Sequence, residues 1–107
     1  MYKEVGISSN NVPITLSIWY TERSCPTIVF LPGTMSHPLM YENFLSGLCE
    51  RGFNIIGVHY LSHGKSPKIK MNYTMEDLLY NVYDATTYGM ENYGDNKIGR
   101  ASCRERV

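Results

Sequence analysis

The sequence predicts an α/β fold in which an N-terminal antiparallel hairpin is followed by a parallel β-α-β unit and one further helix. Residues 27–31, TIVFL, and residues 54–58, NIIGV, are short, mostly apolar runs that indicate strands buried on both faces. Residues 38–51, between them, repeat apolar side chains at helical spacing. Because short crossovers of this kind join parallel neighbours with right-handed geometry, we expect the two strands to be parallel.

The first part of the chain predicts the hairpin. Residues 2–7 alternate weakly, and residues 8–11, SSNN, form a turn cluster. Residues 12–20 then alternate with a period of two, which is the clearest strand signal in the chain. A tight turn before such a strand favours antiparallel pairing. Because proline has no N–H to donate, Pro13 indicates a sheet edge or the end of a strand.

The helix of the β-α-β unit has recognisable ends. Pro38 suits a first helical turn, where no N–H is needed, and Gly52 suits a left-handed C-cap. Four apolar side chains recur at i, i+3, i+4 and i+7, and we expect them to share one apolar face: Tyr41, Phe44, Leu45 and Leu48. Residues 59–67, after the second buried strand, are rich in turn-forming residues.

A second helix is predicted over residues 75–88 or beyond. Thr74 is a suitable N-cap, and Glu76 and Asp77 place two carboxylates in the first turn, where the helix dipole favours negative charge. Gly89 is expected to weaken the last turns.

The composition indicates one small soluble domain, with 43% hydrophobic and 19% charged residues. The net charge is zero and no basic stripe is present, so a nucleic-acid partner is not expected. No window approaches 18 uninterrupted apolar residues and the first residues, MYKE, do not open a signal peptide. We therefore expect no transmembrane segment and a cytoplasmic location. Cys25, Cys49 and Cys103 lack metal-ligand spacing and are expected to be reduced thiols.

Residues 98–107, IGRASCRERV, differ from the rest of the chain. They have no apolar period and contain three arginines, whereas residues 1–97 contain two. The segment resembles, residue for residue, the translation of a common short-read sequencing adapter; the alternative is a genuine basic tail. We expect residues 1–97 to be a partial domain and residues 98–107 a non-native tail.

Two patterns near position 60 are weak candidates for binding sites. Gly64-Lys65-Ser66 resembles the end of a phosphate loop, but that motif needs a glycine five residues earlier, where the chain has His59. His59 and His63 are four residues apart, and His37 is the only other histidine, which is too few ligands for a convincing zinc site. We expect these histidines to lie at the surface or to pack within a turn.

Gly33 is the more informative residue. A glycine directly after a buried parallel strand lets the backbone bend sharply over the carboxyl edge of the sheet, where ligands bind in open α/β sheets. The backbone N–H of Thr34 or Met35 could face an oxyanion there, without needing a particular side chain. The alternative is that Gly33 only terminates the strand, and the spacing does not separate the two.

Three motifs in order resemble the N-terminal part of α/β-hydrolases: VFLPGT at 29–34, RGFNIIGV at 51–58 and HGKSP at 63–67. The branch that they resemble is the serine aminopeptidase and monoacylglycerol-lipase-like group, and the resemblance covers about residues 5–97. The chain departs from the pattern at four positions. Pro32 replaces the usual histidine before the glycine, and the aspartate, arginine and first glycine of the second turn are replaced by His59, Leu61 and Ser62.

The resemblance implies a truncated α/β-hydrolase sheet from a serine hydrolase that cleaves small-molecule carboxylic esters or amides without a metal or other cofactor. Its nucleophile would lie in a Gly-x-Ser-x-Gly elbow downstream, and no serine here has those flanking glycines. No catalytic side chain is therefore expected in this chain, which should be inactive alone. The family's strand order also implies that one edge of the 27–31 strand is unpaired and that one face of the sheet lacks a helix, which predicts poor solubility or loose packing. The resemblance assigns the Thr34 N–H to the oxyanion hole, with Gly33 and Met35 supporting the loop. The alternative is a small non-catalytic α/β module that binds a ligand in a cleft at Gly33 and His63.

Overall fold

The computed structural model describes residues 1–21, 25–33, 35–69 and 72–93, and the backbone of residues 98–102. Five strands and two α-helices form in these ranges: β1 (Tyr2–Ser9), β2 (Val12–Trp19), β3 (Thr27–Leu31), α1 (Glu42–Glu50), β4 (Asn54–His59), α2 (Met75–Tyr93) and β5 (Ile98–Ser102). One turn of 3-10 helix, Pro38–Tyr41, leads into α1. In these ranges no helix combines the length and apolar character that crossing a bilayer requires.

The strands form one mixed sheet in the order β1-β2-β4-β3-β5. β2 is antiparallel to both β1 and β4, while β3 is parallel to β4 on one side and to β5 on the other. The predicted hairpin and the predicted parallel β-α-β unit are both confirmed. This topology puts the ends of β3 and β4 at the same edge of the sheet, with α1 as the crossover between them.

The hairpin turn consists of two asparagines. Asn10 and Asn11 have φ angles of 50° and 67°, the left-handed pair that a type I′ turn requires and that asparagine tolerates. Pro13 lies opposite Ser8 of β1, and pairing of β2 with β4 begins only at Thr15. Pro13 is therefore at a strand end of an internal strand, where its missing N–H leaves no gap in the ladder with β4.

The two helices pack on opposite faces of the sheet. α2 covers a larger core of ten buried side chains: Ile14, Leu16, Ile18, Val29, Ile56, Val58, Tyr60, Leu61, Leu78 and Ala85. α1 covers a smaller core of four: Trp19, Phe30, Leu45 and Ile55. The expectation that one face lacks a helix is therefore wrong for the described residues. The α1 face also buries Ser17, which the period of β2 had placed on the polar side.

Three local expectations have different outcomes. Gly52 has φ 103° and forms the predicted left-handed C-cap of α1. Phe44, predicted to lie on the apolar face, is 59% exposed, because the sheet contacts a narrower stripe centred on Leu45. The predicted cap of α2 is present: the Thr74 N–H donates to Asp77 Oδ2 at 2.9 Å, and the Asp77 N–H donates to Thr74 Oγ1 at 3.4 Å.

The second half of the chain brings one confirmation and one correction. The predicted helix over residues 75–88 or beyond is confirmed, since α2 continues to Tyr93 with Gly89 buried in it, and the weakening of its last turns by Gly89 stays a prediction. The outer edge of β3 is not unpaired, since the β5 backbone lies parallel to it over five residue pairs. That pairing uses backbone groups, which every sequence supplies, so the non-native origin of residues 98–107 stays a prediction.

Candidate active-site rim

Gly33 lies two residues beyond the end of β3, at the carboxyl edge that β3 shares with β4, as predicted. A tight turn follows it, in which the Ser36 N–H and the Ser36 hydroxyl both donate to the Gly33 carbonyl oxygen at 3.0 Å. Met35 has φ 70° and is 82% exposed. A left-handed methionine costs on the order of 1 kcal/mol or more, so the surrounding contacts must stabilise the turn.

Of the three residues predicted at the oxyanion position, Thr34 lies outside the described residues. Its N–H as an oxyanion donor therefore stays a prediction. Gly33 and Met35 flank it within the turn, where the resemblance places the supporting residues.

The carboxyl end of β4 holds the segment around this turn at three points. On the near side, the Tyr60 hydroxyl donates to the Pro32 carbonyl oxygen at 2.9 Å in a buried contact. On the far side, the ring of His37 stacks on that of His59 with centroids 5.7 Å apart. Pro38 lies directly over Gly57, where a Cβ would come within 2.6 Å of the proline ring. The turn is thus held on both sides by Gly57 and His59 of β4 and by Tyr60, which follows the strand.

His59 is the central residue of this clamp and is fully buried. The Lys65 N–H donates to His59 Nδ1 at 3.0 Å, so Nδ1 must be unprotonated and Nε2 carries the proton. Nε2 then donates to Ser17 Oγ at 2.7 Å. Burial, together with the neighbouring His37 ring, lowers the pKa of His59 to about 4, so the imidazole is neutral near pH 7.

The hydrogen bonds continue from Ser17 to the surface. Ser17 Oγ and the Tyr2 hydroxyl are 2.9 Å apart, and the Tyr2 hydroxyl donates to Glu4 Oε2 at 2.8 Å. Since Tyr2 uses its proton on Glu4, Ser17 is the donor to Tyr2 and the acceptor from His59. Burial raises the pKa of Tyr2 to about 12. We call this series His59, Ser17, Tyr2 and Glu4 the polar row; it crosses β4, β2 and β1 on the α1 face.

The HGKS motif forms a structural loop that packs against His59 at the carboxyl end of β4. Ser66 Oγ donates to the His59 carbonyl oxygen at 2.7 Å and accepts the Thr15 N–H at 2.9 Å. Gly64 has φ 50° and packs on His59, where a Cβ would overlap Nδ1. His63 Nδ1 donates to the Leu61 carbonyl oxygen at 2.8 Å. The loop N–H that a phosphate would need, that of Lys65, is already used by His59.

The sequence-based interpretation of the histidines is partly wrong. His63 packs in a turn between the rings of Tyr60 and Tyr73, as expected. His59 is instead the last residue of β4 and has no exposed surface. The sequence contained one signal for this burial, because the alternation along a strand puts His59 on the same face as positions 55 and 57. The hydrogen-bond partner of His59, Ser17, is found only when the strands are paired. Among the described residues, no three His, Cys, Asp or Glu side chains form a metal-binding group.

No protein-family model and no curated protein matches this chain. Solved structures do. An esterase of Pyrococcus furiosus is 19% identical with a TM-score of 0.79, over 95% of this chain and 40% of the esterase. The α/β-hydrolase GrgF of Penicillium gives 14% identity and a TM-score of 0.82 over 95% of this chain and 37% of that protein. A thermostable carboxyl esterase of Bacillus coagulans is 18% identical with a TM-score of 0.75, over 92% of this chain and 35% of the esterase.

These similarities, together with the sheet order and the turn after β3, define the class of fold. The chain has the α/β-hydrolase fold, truncated relative to the solved proteins. It spans about two fifths of the length of the Pyrococcus esterase.

Proposed function

We propose that this chain is the N-terminal part of a serine hydrolase that cleaves carboxylic esters or amides of small molecules. The observation that carries the proposal is the Gly33 turn, which lies at the carboxyl edge of the parallel strands and is clamped by β4 on both sides. Two of the three described neighbours are esterases, and all three superpose over nearly the whole chain.

In the proposed reaction, a serine hydroxyl attacks the substrate carbonyl carbon and the carbonyl oxygen becomes negatively charged. The N–H of Thr34 donates one hydrogen bond to that oxygen, and the N–H after the nucleophile donates another. The role of this chain is therefore to hold one donor fixed before the substrate arrives. The nucleophile, the acid and the catalytic histidine lie downstream, in a Ser-His-Asp/Glu triad.

A backbone donor can be removed by proline, which has no N–H. In the longer protein, Thr34→Pro should lower kcat by about 10²–10³, with little change in KM. Thr34→Ala is the matched control, because it removes the side chain and keeps the N–H, and it should stay close to the parent. Equal losses in the two variants, measured by steady-state ester hydrolysis, would show that the backbone donor has no special part.

The isolated chain lacks the nucleophile and should be inactive. We expect no covalent adduct when residues 1–107 are incubated with a fluorophosphonate and examined by intact-mass spectrometry. The longer protein, treated in parallel, should add one probe per chain. A stoichiometric adduct on residues 1–107 would overturn the predicted inactivity.

We further propose that residues 98–107 are translated sequencing adapter and that the native protein continues differently after position 97. Resequencing the source gene beyond this codon tests the idea. A Gly-x-Ser-x-Gly elbow within about 15 residues supports the hydrolase, since the elbow follows the next strand of the fold. A stop codon there would instead favour the small binding module.

The surface beside the turn is consistent with the lipase-like branch of the resemblance. Met35 is 82% exposed, and Met40 and Phe44, one helical turn apart, are 62% and 59% exposed. Exposed apolar side chains in the turn and in the segment that follows it along the chain suit an apolar acyl group better than a charged one. For the longer protein we therefore propose esters with apolar acyl chains as substrates, to be compared with aminoacyl amides in the same assay.

A further inference from the structure

The clamp around the Gly33 turn depends on a residue that the resemblance does not explain. His59 stands where the resembling sequences have an aspartate. A carboxylate there could accept the Lys65 N–H, but it has no proton to give to Ser17 and no ring on which His37 could stack. The histidine makes all three contacts at once.

We propose that His59 is a positioning residue for the oxyanion turn and that the Lys65 N–H and the polar row together fix it in the Nε2–H tautomer. This inference rests on the proposed function, because the turn has a catalytic use only if it carries an oxyanion donor. His59 itself does not touch the substrate. It acts through His37 and through the loop at Lys65.

The first step of the argument is that only one arrangement of protons satisfies the row. With the proton on Nδ1, that N–H would face the Lys65 N–H at 3.0 Å, and two donors would oppose each other in a buried site. With the proton on Nε2, every hydrogen bond from Lys65 through His59, Ser17 and Tyr2 to Glu4 has one donor and one acceptor. The exposed carboxylate of Glu4 sets the direction, because it can only accept.

The second step is that the His59 ring is coupled to the turn. His37 stacks on it at an interplanar angle of 20°, and His37 directly follows Ser36, whose N–H closes the turn on Gly33. Gly64 packs against both rings and leaves no space for His59 to tilt toward the loop. A change in the orientation of His59 therefore moves His37 and, through it, the neighbouring Ser36.

The test uses NMR on the 15N-labelled chain of residues 1–107. Long-range 15N–1H correlation should show His59 protonated at Nε2 and bare at Nδ1. In Ser17→Ala the Nε2 proton loses its acceptor while the Lys65 N–H still keeps Nδ1 unprotonated, so the Nε2–H signals of His59 should shift and broaden as the ring loses its fixed orientation. The Ser36 amide hydrogen should then exchange with solvent about tenfold faster. This is the change in rate expected when local stability falls by the contribution of one hydrogen bond. The amide of Ile56, inside the sheet, should exchange at its original rate.

Two further variants separate positioning from general stability. Ser17→Thr keeps a hydroxyl at this position and should restore the Nε2–H signals of His59 and the Ser36 rate. Tyr2→Phe leaves Ser17 in place but cuts the row before Glu4, so it should shift both readouts in the same direction by less. This variant also keeps the test open if Ser17→Ala does not fold.

Three results would overturn the proposal. They are a proton on Nδ1 of His59 in the unmodified chain, a Ser36 exchange rate unaffected by both row variants, and equal acceleration at Ser36 and Ile56, which would indicate a purely structural role. None of these readouts involves hydrolysis. Failure here would leave the Thr34→Pro result standing, and failure of the hydrolase proposal would leave the positioning of the turn standing.

Discussion

Two consecutive residues of β4 show how differently the two faces of the sheet are built. Ile56 points into the α2 face, whose hydrophobic core has ten buried members and which also buries one polar pair, Asn81 and Ser9. Ile55 points into the α1 face, where the core has only four buried members. On that second face, Ser17 and His59 are as deeply buried as the isoleucines.

This difference indicates that the α2 face mainly stabilises the fold, whereas the α1 face shapes the edge of the sheet at the Gly33 turn. Burying a polar group costs free energy unless it is hydrogen-bonded, and the polar row meets this condition at each described link. Because its hydrogen bonds are directional, the polar row also holds the strands and the loop that it joins in fixed positions. An apolar core does this less selectively. The α2 face supplies bulk stability, and the α1 face positions the Gly33 turn.

The largest expected effect comes from truncating one buried side chain in each hydrophobic core. Ile55→Ala and Ile56→Ala should each lower the free energy of unfolding by about 2–5 kcal/mol. We expect Ile56→Ala to cost more, because its cavity lies in the larger core beneath α2. Urea unfolding measures both, with exposed Phe44→Ala as the control, expected within about 0.5 kcal/mol of the parent. A larger loss at Ile55 would reverse our assignment of the two faces.

Acid should weaken the α1 face through His59. Its pKa is about 4 in the folded chain and about 6.5 when unfolded, so only the unfolded chain gains a proton between these values. The stability contributed by the neutral ring is complete above pH 6.5 and is lost as the pH falls toward 4, by at most about 3 kcal/mol.

The control for this pH effect is His59→Asn, which keeps an acceptor for the Lys65 N–H but does not titrate. Urea unfolding of both proteins at several pH values should show their stability difference shrinking as the pH falls from 6.5 to 4. A difference that is constant over this range would mean that His59 is not held neutral by the fold.

The smallest effect compares two glycines near α1. Gly57→Ala should destabilise by about 1–3 kcal/mol, because the new methyl group overlaps Pro38. Gly47→Ala should stabilise by up to about 1 kcal/mol, because its methyl group meets only the Arg51 guanidinium at 3.5 Å and alanine favours a helix. Thermal unfolding reports both signs; a Gly57→Ala variant as stable as the parent would argue against close packing of Pro38 on β4.

Much of the fold could be predicted because its signals are local. The buried runs at β3 and β4, the alternation of β2, the Thr74 cap and the Gly52 cap each depend on a few neighbouring residues. The site was predicted less completely. Gly33 follows directly from its place after a buried strand, whereas His59 was assigned to a turn or the surface, and Phe44 to the apolar face.

The sequence by itself determined the order of the elements, the parallel crossover and the place of the Gly33 turn, since these follow from hydrophobic period and backbone freedom along the chain. Only the tertiary structure decided which polar groups are buried together. Ser17 and His59 are 42 positions apart and Tyr2 is further still, and they meet because β1, β2 and β4 are neighbours on one face. Which proton each of them carries depends on the partner across the strand, and no local pattern contains that information.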